Sequence, residues 1–215
     1  MNDLKISLTH FTDFVTSTPS GRVQAVRDAI RLRDSIDANR RSFDGKGFNP
    51  DFYKPMKLYL SKAVQGAPLE TIESLLFADP RKQAAFRLCA DGFHKFLAQQ
   101  KVTWRGPGRK WEWSSGQLTV SVNPEIALRI DGNNWLLKLY FKERNLTKLP
   151  HRTKADLILH LLTAGSEEDE TVGVLDLRRG AILALGKPVR DCELLLRGEA
   201  VSYLEIWKGL KAAAA

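Results

Sequence analysis

The sequence predicts an α+β protein in which a helical N-terminal half packs on a largely antiparallel sheet with C-terminal helices. Three observations predict this class. Apolar residues recur at spacings of three and four over residues 1–100. From Lys101 they alternate at every second position, which is typical of strands with one buried face. Helical spacing returns near the C-terminus, after a further pair of strand-like segments.

The composition is that of an ordinary globular protein. The chain has 215 residues, 43% hydrophobic and 27% charged, which is enough to bury a sizeable core. Two cysteines cannot form a disulfide framework, so we expect a reducing, cytoplasmic location. No apolar run approaches about 18 residues, and the first residues lack the pattern of a secretory signal. We therefore expect no membrane partner.

The first hundred residues contain five segments with a helical pattern. Thr9 and Ser20 are candidate N-caps of the first two, and Pro55 must either lie in the first turn of the third or kink it. Residues 40–50, with two glycines and a proline, predict a loop. The five segments are SLTHFTDFVTS, SGRVQAVRDAIRLRDSIDAN, PDFYKPMKLYLSKAV, LETIESLLF and RKQAAFRLCADGFHKFLAQQ.

Beyond residue 100 the pattern predicts strands, followed by helices and a further strand pair. GPG and SSGQ break KVTWRGPGRKWEWSSGQLTVSVNP into strands. TKADLILHLLTAG predicts a helix, and VGVLDLRRGAILAL predicts two strands joined at Arg179-Gly180. A last helix, PVRDCELLLRGEAVSYLEIWKGL, is interrupted or capped at Gly198. We place a boundary between a helical region, 1–100, and a sheet region, 101–215; with no linker between them, we expect one compact unit.

The stretch EIALRIDGNNWLLKLYFK predicts a hairpin that turns at Gly132-Asn133. That turn pairs Ile130 with Trp135 and Leu128 with Leu137, and places the apolar residues together on one face. Glu125, Arg129, Lys138, Tyr140 and Lys142 then share the opposite face, which an antiparallel sheet normally exposes to water.

Most of the net charge of +8 lies in one quarter of the chain, because residues 101–154 carry 11 basic and 4 acidic residues. Concentrated positive charge attracts polyanions, and an aromatic ring between basic groups suits the stacking of bases. We therefore predict a nucleic-acid-binding surface on the polar face of the hairpin, extended by the WRGPGRK loop. Its predicted residues are Arg105, Arg109, Lys110, Arg129, Lys138, Tyr140 and Lys142.

The sequence supports no assignment of catalytic or metal-binding residues. The four histidines have no metal-ligand spacing, and neither cysteine has a base nearby in the sequence. The common phosphate-loop, dinucleotide-binding and serine-elbow motifs are missing from the sequence. Asp176 and Arg178 fall on one face of a predicted strand, where they suggest a structural ion pair. We expect no cofactor.

The order helix, antiparallel strands, helix, strand over residues 82–178 resembles the core of PD-(D/E)XK, or restriction-endonuclease-like, nucleases. The resemblance implies an acid on one strand and an acid-x-lysine on the next, holding Mg²⁺ and positioning water. Asp131 would be the first acid, in a strand followed by LKLYFK. The second acid is missing, because Leu136 precedes Lys138 and Tyr140 precedes Lys142 by two residues. Glu125 is the one carboxylate that could replace it.

Three functions therefore remain open. The first is nucleic-acid binding by the basic sheet face. The second is a metal-dependent nuclease with a rearranged site. The third is a protein-interaction or scaffolding module, whose basic face would meet an acidic protein or the acidic SEEDE segment of the same chain.

Overall fold

The computed structural model describes residues 4–41, 53–66, 80–148, 151–184 and 191–214, except for the side chains of 37–41 and 82. These residues form helices and two mixed sheets, which confirms the α+β class. The helix predicted over LETIESLLF and most of the loop predicted at 40–50 lie outside the described residues. None of the described helices is both long and apolar enough to cross a membrane.

The chain divides into two compact units, each assembled from separate stretches of sequence. Unit 1 comprises residues Met1–Asp51, Glu112–Val122 and Val189–Ala215, and unit 2 comprises Phe52–Trp111 and Asn123–Pro188. Unit 2 therefore combines helices that precede residue 100 with strands that follow it.

The described residues of unit 1 form a small three-stranded sheet with three helices. Strand β1 (Leu4–Ser7) leads into α1 (Leu8–Val15) and α2 (Pro19–Arg41), and the unit ends with α6 (Cys192–Ala212). The sheet order is β1-β4-β3, where β3 is Trp111–Ser115 and β4 is Leu118–Val122. Phe11, Phe14 and Tyr203 are fully buried in this unit.

Two helix boundaries in unit 1 differ from the prediction. The residues before α1 form β1, which pairs in parallel with β4, because the alternating side chains of Leu4 and Ile6 fit a sheet edge. The cap of α1 is Ser7 instead of Thr9; its hydroxyl accepts a hydrogen bond from the His10 amide. Helix α6 continues through Gly198 without a break.

In unit 2, the part of the chain that the structure describes contains a five-stranded sheet in the order β2-β5-β6-β7-β8. The strands are β2 (Val102–Pro107), β5 (Ile126–Ile130), β6 (Asn133–Tyr140), β7 (Glu170–Asp176) and β8 (Ala181–Ala184). Only β6 and β7 are parallel among these neighbours; the other pairs are antiparallel. The parallel pair is joined by α5 (His151–Thr163), as a parallel connection requires.

Helices cover both faces of this sheet. On one face, α3 (Lys54–Val64) and α4 (Pro80–Gln99) pack on Ile126, Leu128 and Leu137. The helical spacing of three and four that the sequence predicted is confirmed in α4, where Phe86, Cys89, Phe93 and Phe96 follow this spacing and are all buried. The other face carries Leu136, Val172 and Val174, and α5 packs against β7 with its own buried leucines. The expectation of one water-exposed face is therefore wrong for this sheet, because a parallel crossover places a helix on it.

Close backbone packing fixes α4 against the turn between β7 and β8. A Cβ on Gly92 would lie 1.9 Å from the carbonyl oxygen of Leu177. Gly180, at φ +63°, approaches the same helix, and a Cβ there would lie 2.3 Å from the Gly92 carbonyl oxygen. The predicted turn at Arg179-Gly180 is confirmed, and glycine is required on both sides of this contact.

Candidate nucleic-acid interface

The β5–β6 hairpin turns one residue earlier than predicted. Asp131 (φ +49°) and Gly132 (φ +89°) are the two loop residues, which is the pattern of a type I′ turn. Ile126 therefore pairs with Leu137, Leu128 with Trp135 and Ile130 with Asn133. The predicted pairs are wrong by two residues. The predicted division of side chains between the two faces of the hairpin is confirmed, because a register shift of two residues returns every side chain to the same face.

The shifted register brings Glu125 opposite Lys138 instead of Tyr140. Lys138 Nζ lies 2.7 Å from Glu125 Oε1 and donates to the carbonyl oxygen of Asn123 at 3.0 Å. The other carboxylate oxygen of Glu125 accepts the Leu139 amide at 2.8 Å, and Lys57 from α3 approaches Oε1 at 3.2 Å. Lys138 is thus an internal ion-pair residue, held where β5 begins and β6 ends.

The structure does not assemble the seven predicted residues into one surface. Lys138 and Tyr140 are buried, with 6% and 7% of their surface exposed, on the face that carries α5. Arg129 is exposed and donates to the Gly132 carbonyl, close to the turn. Lys142 is also exposed, but it lies eight residues beyond Asn134, the partner of Arg129, which corresponds to roughly 26 Å along a strand. The prediction of a joint platform that includes Lys138 and Tyr140 is therefore wrong.

Two arginines of the basic loop WRGPGRK form ion pairs with acidic residues of the same chain. Arg105 lies 3.4 Å from Glu170, and Arg109 pairs with both Glu167 and Glu170. Arg109 also donates to the Gly165 carbonyl at 2.7 Å. These contacts use two acids of the SEEDE segment. Lys110 is exposed and lacks a carboxylate partner among the described residues.

A different group of basic residues gathers where β6 and β7 end. Because the two strands are parallel and Tyr140 is in register with Asp176, the segments that follow them leave the sheet at the same edge. Helix α5 also begins at this edge, and its N-terminus adds a favourable field for anions. We call this group the basic edge; its members are Lys142, Arg144, Lys148, Arg178 and Arg179.

Two members of the basic edge are held in place by the sheet. Arg178 donates through Nε to the Phe141 carbonyl at 3.1 Å. Arg179 donates to the buried carboxylate of Asp176 at 2.9 Å and to the Glu143 carbonyl at 3.0 Å, with 37% of its side chain exposed. Asp176 therefore pairs with Arg179, and the suggested Asp176–Arg178 pair is wrong. In a tight turn, the residue three positions after a carboxylate can fold back to it, as Arg179 does to Asp176. Strand alternation alone suggested the residue two positions after it, Arg178.

The other members extend into solvent. Arg144 and Lys148 are exposed, and neither has a carboxylate partner among the described residues. Lys142 is also exposed. The sequence did not predict the basic edge, because strand periodicity indicates which residues share a face of a sheet and not which segments meet at its edge. The signal that could have found it is the run KERNLTK, directly after a strand whose connection to the next strand contains a helix.

Cys89 lies beneath the basic edge and has the environment of a structural thiol. Burial raises its pKa to about 11, although the nearby Arg178 guanidinium acts in the opposite direction. The thiol is therefore protonated at neutral pH. Among residues the structure describes, no three His, Cys, Asp or Glu side chains are placed to hold a metal ion.

Comparison with models of known protein families and with curated protein sequences finds no match. The candidate interface therefore depends on the geometry and charge of the chain itself.

Proposed function

We propose that this protein binds nucleic acid through the basic edge, with no chemical change in the bound strand. The observation that carries the proposal is the convergence of five cations on two adjacent segments, at the carboxyl ends of neighbouring parallel strands. Open α/β sheets commonly bind ligands at such ends. Cations spread over two segments suit the successive phosphates of a strand better than a single phosphate group.

The basic edge combines two arginines that the protein holds in place with cations that extend into solvent, and this combination supports the same proposal. Arg178 and Arg179 are oriented by backbone carbonyls and Asp176, so their guanidinium groups are partly ordered before any ligand arrives. Arg144 and Lys148 remain free to adapt to the positions of phosphates. Contacts of this kind fix a strand on the protein but do not distinguish its sequence. We therefore expect weak sequence preference.

A binding titration tests the proposal. The protein is titrated into fluorescein-labelled single- and double-stranded DNA and RNA at about 50 mM salt, with anisotropy as the signal. At that salt each phosphate contact contributes roughly tenfold to affinity through counterion release. Arg144→Ala with Lys148→Ala should therefore weaken binding at least tenfold. The matched control is Arg105→Ala with Arg109→Ala, which removes the same charge from a loop already paired with Glu167 and Glu170.

The position of Glu125 and Lys138 favours one second candidate, a metal-dependent nuclease related to the PD-(D/E)XK family. The element order α4, β2, β5, β6, α5, β7 in unit 2 supports this kinship. Glu125 at the start of β5 and Lys138 on β6 occupy adjacent strands, as an acid and a lysine would in that family. Asp131 is not suited to the role, because it lies in the hairpin turn and accepts the Lys101 amide. The second acid would fall at Leu136, which is buried.

Cleavage assays separate the two candidates. Plasmid and single-stranded substrates are incubated with Mg²⁺ or Mn²⁺, in parallel with Glu125→Gln and the exposed control Glu143→Gln. Cleavage that Glu125→Gln abolishes in protein shown by circular dichroism to remain folded, and that Glu143→Gln preserves, would establish the nuclease. Binding without cleavage supports the first proposal. The scaffolding alternative has less support, since Glu167 and Glu170 already pair with Arg105 and Arg109 within one chain.

A further inference from the structure

Helix α6 carries apolar residues on two opposite faces. Leu194 and Val201 lie on the face that points away from unit 1, where they are 72% and 60% exposed. Leu195, 46% exposed, extends the same apolar surface. A helix that is apolar on both sides is normally covered on both sides. The residues that cover its inner side by burial in unit 1 are Cys192, Leu196, Ala200 and Tyr203.

The exposed apolar residues of α6 form a cluster. Among the residues that the structure describes, six large hydrophobic side chains are exposed, and α6 carries three of them. The other three are isolated, because Leu32, Leu58 and Leu88 lie on three different helices. Single exposed hydrophobic residues are ordinary, whereas a contiguous group on one helix marks a surface that contacts another molecule.

The outer face of α6 also has a shape that accepts a side chain from a facing helix. A Cβ on Gly198 would meet no atom within 4 Å. A groove of about 400 Å³ begins there, bordered by Leu194, Leu195 and Ser202. Two small residues therefore deepen one hole between four positions spaced as in helix–helix packing. The four residues around this hole are Gly198, Val201, Ser202 and Glu205.

The charges beside this hole are arranged symmetrically about Val201. Arg197 precedes Val201 by four residues, and Glu205 follows it by four. When two copies of α6 pack antiparallel about a twofold axis at Val201, Arg197 of each copy lies opposite Glu205 of the other. At seven residues from the axis, Leu194 lies opposite Lys208, whose aliphatic stem can cover it. A parallel pair would place Arg197 opposite Arg197 and Glu205 opposite Glu205.

Both charged residues already have partners within their own chain. Arg197 pairs with Glu193 at 2.7 Å, and Glu205 pairs with Lys208 at 2.9 Å. The side chains of Arg197 and Glu205 are more than half exposed, at 55% and 66%. Exposed pairs between neighbours on one helix contribute little to stability. Their replacement by Arg197–Glu205 contacts between two copies therefore costs little.

We propose that the outer face of α6 joins two copies of this chain, antiparallel about a twofold axis at Val201. The second copy fits this face because the same few residues supply both halves of each contact, as an isologous interface requires. Val201 of each copy fills the hole beside Gly198 of the other, and Arg197 and Glu205 fix the direction of the pair. This surface lies in unit 1 and does not depend on the basic edge of unit 2.

The mass of the full chain in solution tests the proposal. Sedimentation equilibrium from about 5 to about 200 µM should show a monomer converting to a dimer by mass action. Val201→Arg should raise the dissociation constant at least about tenfold, because two guanidinium groups would meet at the axis. Leu88→Arg is the matched control: it makes the same kind of change at an exposed residue of α4, and should leave association unchanged.

Charge reversal and cross-linking test the direction of the two helices. Arg197→Glu and Glu205→Arg should each weaken the dimer, and the two changes together should restore it, since opposite charges then face each other again. Under mild oxidation, Val201→Cys should form a disulfide-linked dimer. Leu194→Cys should not, because two antiparallel copies hold that position roughly 21 Å apart along the axis. The native cysteines are buried.

Four results would overturn the proposal, each obtained with protein whose circular dichroism shows it folded. The first is a monomer at every concentration, which would assign the apolar face to a different occupant. The second is equal dissociation by Val201→Arg and Leu88→Arg. The third is no recovery of the dimer when both charges are reversed. The fourth is cross-linking of Leu194→Cys as complete as that of Val201→Cys, which would indicate parallel helices.

Discussion

The ammonium group of Lys138 lies 2.7 Å from the carboxylate of Glu125, and both side chains are more than nine-tenths buried. A charge that is removed from water is stabilising only while its partner of opposite charge remains beside it. This pair joins the start of β5 to the end of β6, next to the basic edge. It consequently determines whether that part of the hairpin keeps its geometry.

Removal of one member of this pair should destabilise the protein strongly. Lys138→Met leaves Glu125 with Lys57 alone, and we expect a loss of about 3 kcal/mol in the free energy of unfolding. Glu125→Gln combined with Lys138→Met should lose less than the sum of the single changes, because no uncompensated charge remains buried. Urea denaturation measures all three. Lys148→Met, at an exposed position beyond β6, should change stability by less than about 0.5 kcal/mol. A similarly small effect of Lys138→Met would show that the pair is not important for folding.

Two glycines in helices should respond to alanine in opposite directions. Gly92→Ala places a Cβ against the Leu177 carbonyl, so α4 must move from the β7–β8 turn, at a cost of about 1–3 kcal/mol. Gly198→Ala meets nothing within 4 Å on α6 and should stabilise the protein by roughly 0.5–1 kcal/mol. Thermal and urea unfolding measure both. A stabilising Gly92→Ala would mean that the helix does not approach the turn so closely.

Stability should decrease as the pH falls below the ordinary histidine pKa of 6.5. Burial lowers the pKa of both His10 and His94. The charges of Asp13 and Asp28 oppose this shift at His10, and the charge of Asp91 opposes it at His94. A group whose pKa is lower in the folded state binds protons preferentially when unfolded. Its contribution is therefore present above pH 6.5 and is lost as the pH falls through the folded pKa.

Urea unfolding between pH 7.5 and pH 5 checks this expectation. The slope of stability against pH should be shallower in a His10→Asn, His94→Asn double variant than in the wild type. His151→Asn, at the first residue of α5, provides the comparison. An unchanged slope in the double variant would assign the acid sensitivity to other groups.

Neither cysteine should react readily in the native state. Cys89 and Cys192 are buried, and the pKa of Cys89 is raised to about 11. A thiol reagent such as 5,5′-dithiobis(2-nitrobenzoate) at pH 8 should label the folded protein slowly and the urea-unfolded protein at once, since the thiolate is the reactive form. Rapid labelling of folded Cys89 would contradict its protected environment.

The alternating pattern predicted the faces of the β5–β6 hairpin but not its register. Gly132 can serve in a turn with Asp131 as well as with Asn133, and the two choices differ by two residues in every pair. Both choices direct Ile126, Leu128 and Leu137 to the same side, so the apolar pattern cannot distinguish them. The backbone decides, with Asp131 and Gly132 at positive φ.

Burial of Lys138 could not be predicted from local pattern alone, because it depends on a long-range pairing. The residues around Lys138 alternate as in an exposed antiparallel strand, and the parallel contact with β7 arises only through the α5 crossover. Helices α3 and α5 and the core stripe of α4 were predictable, since their periodicity is local. The basic edge combines Arg144 with Arg179, which are 35 residues apart, so the strand order was needed to find it.

The salt dependence of nucleic-acid binding tests the central proposal most directly. The slope of log K against log salt is measured for the wild type, for Arg144→Ala with Lys148→Ala, and for Arg105→Ala with Arg109→Ala. Each lost phosphate contact flattens the slope by about 0.7 on single strands and about 0.9 on duplexes. We predict a slope flatter by roughly twice that value for the first variant and an unchanged slope for the second. Equal changes in both variants, or no binding by the wild type at low salt, would contradict a nucleic-acid interface at the basic edge.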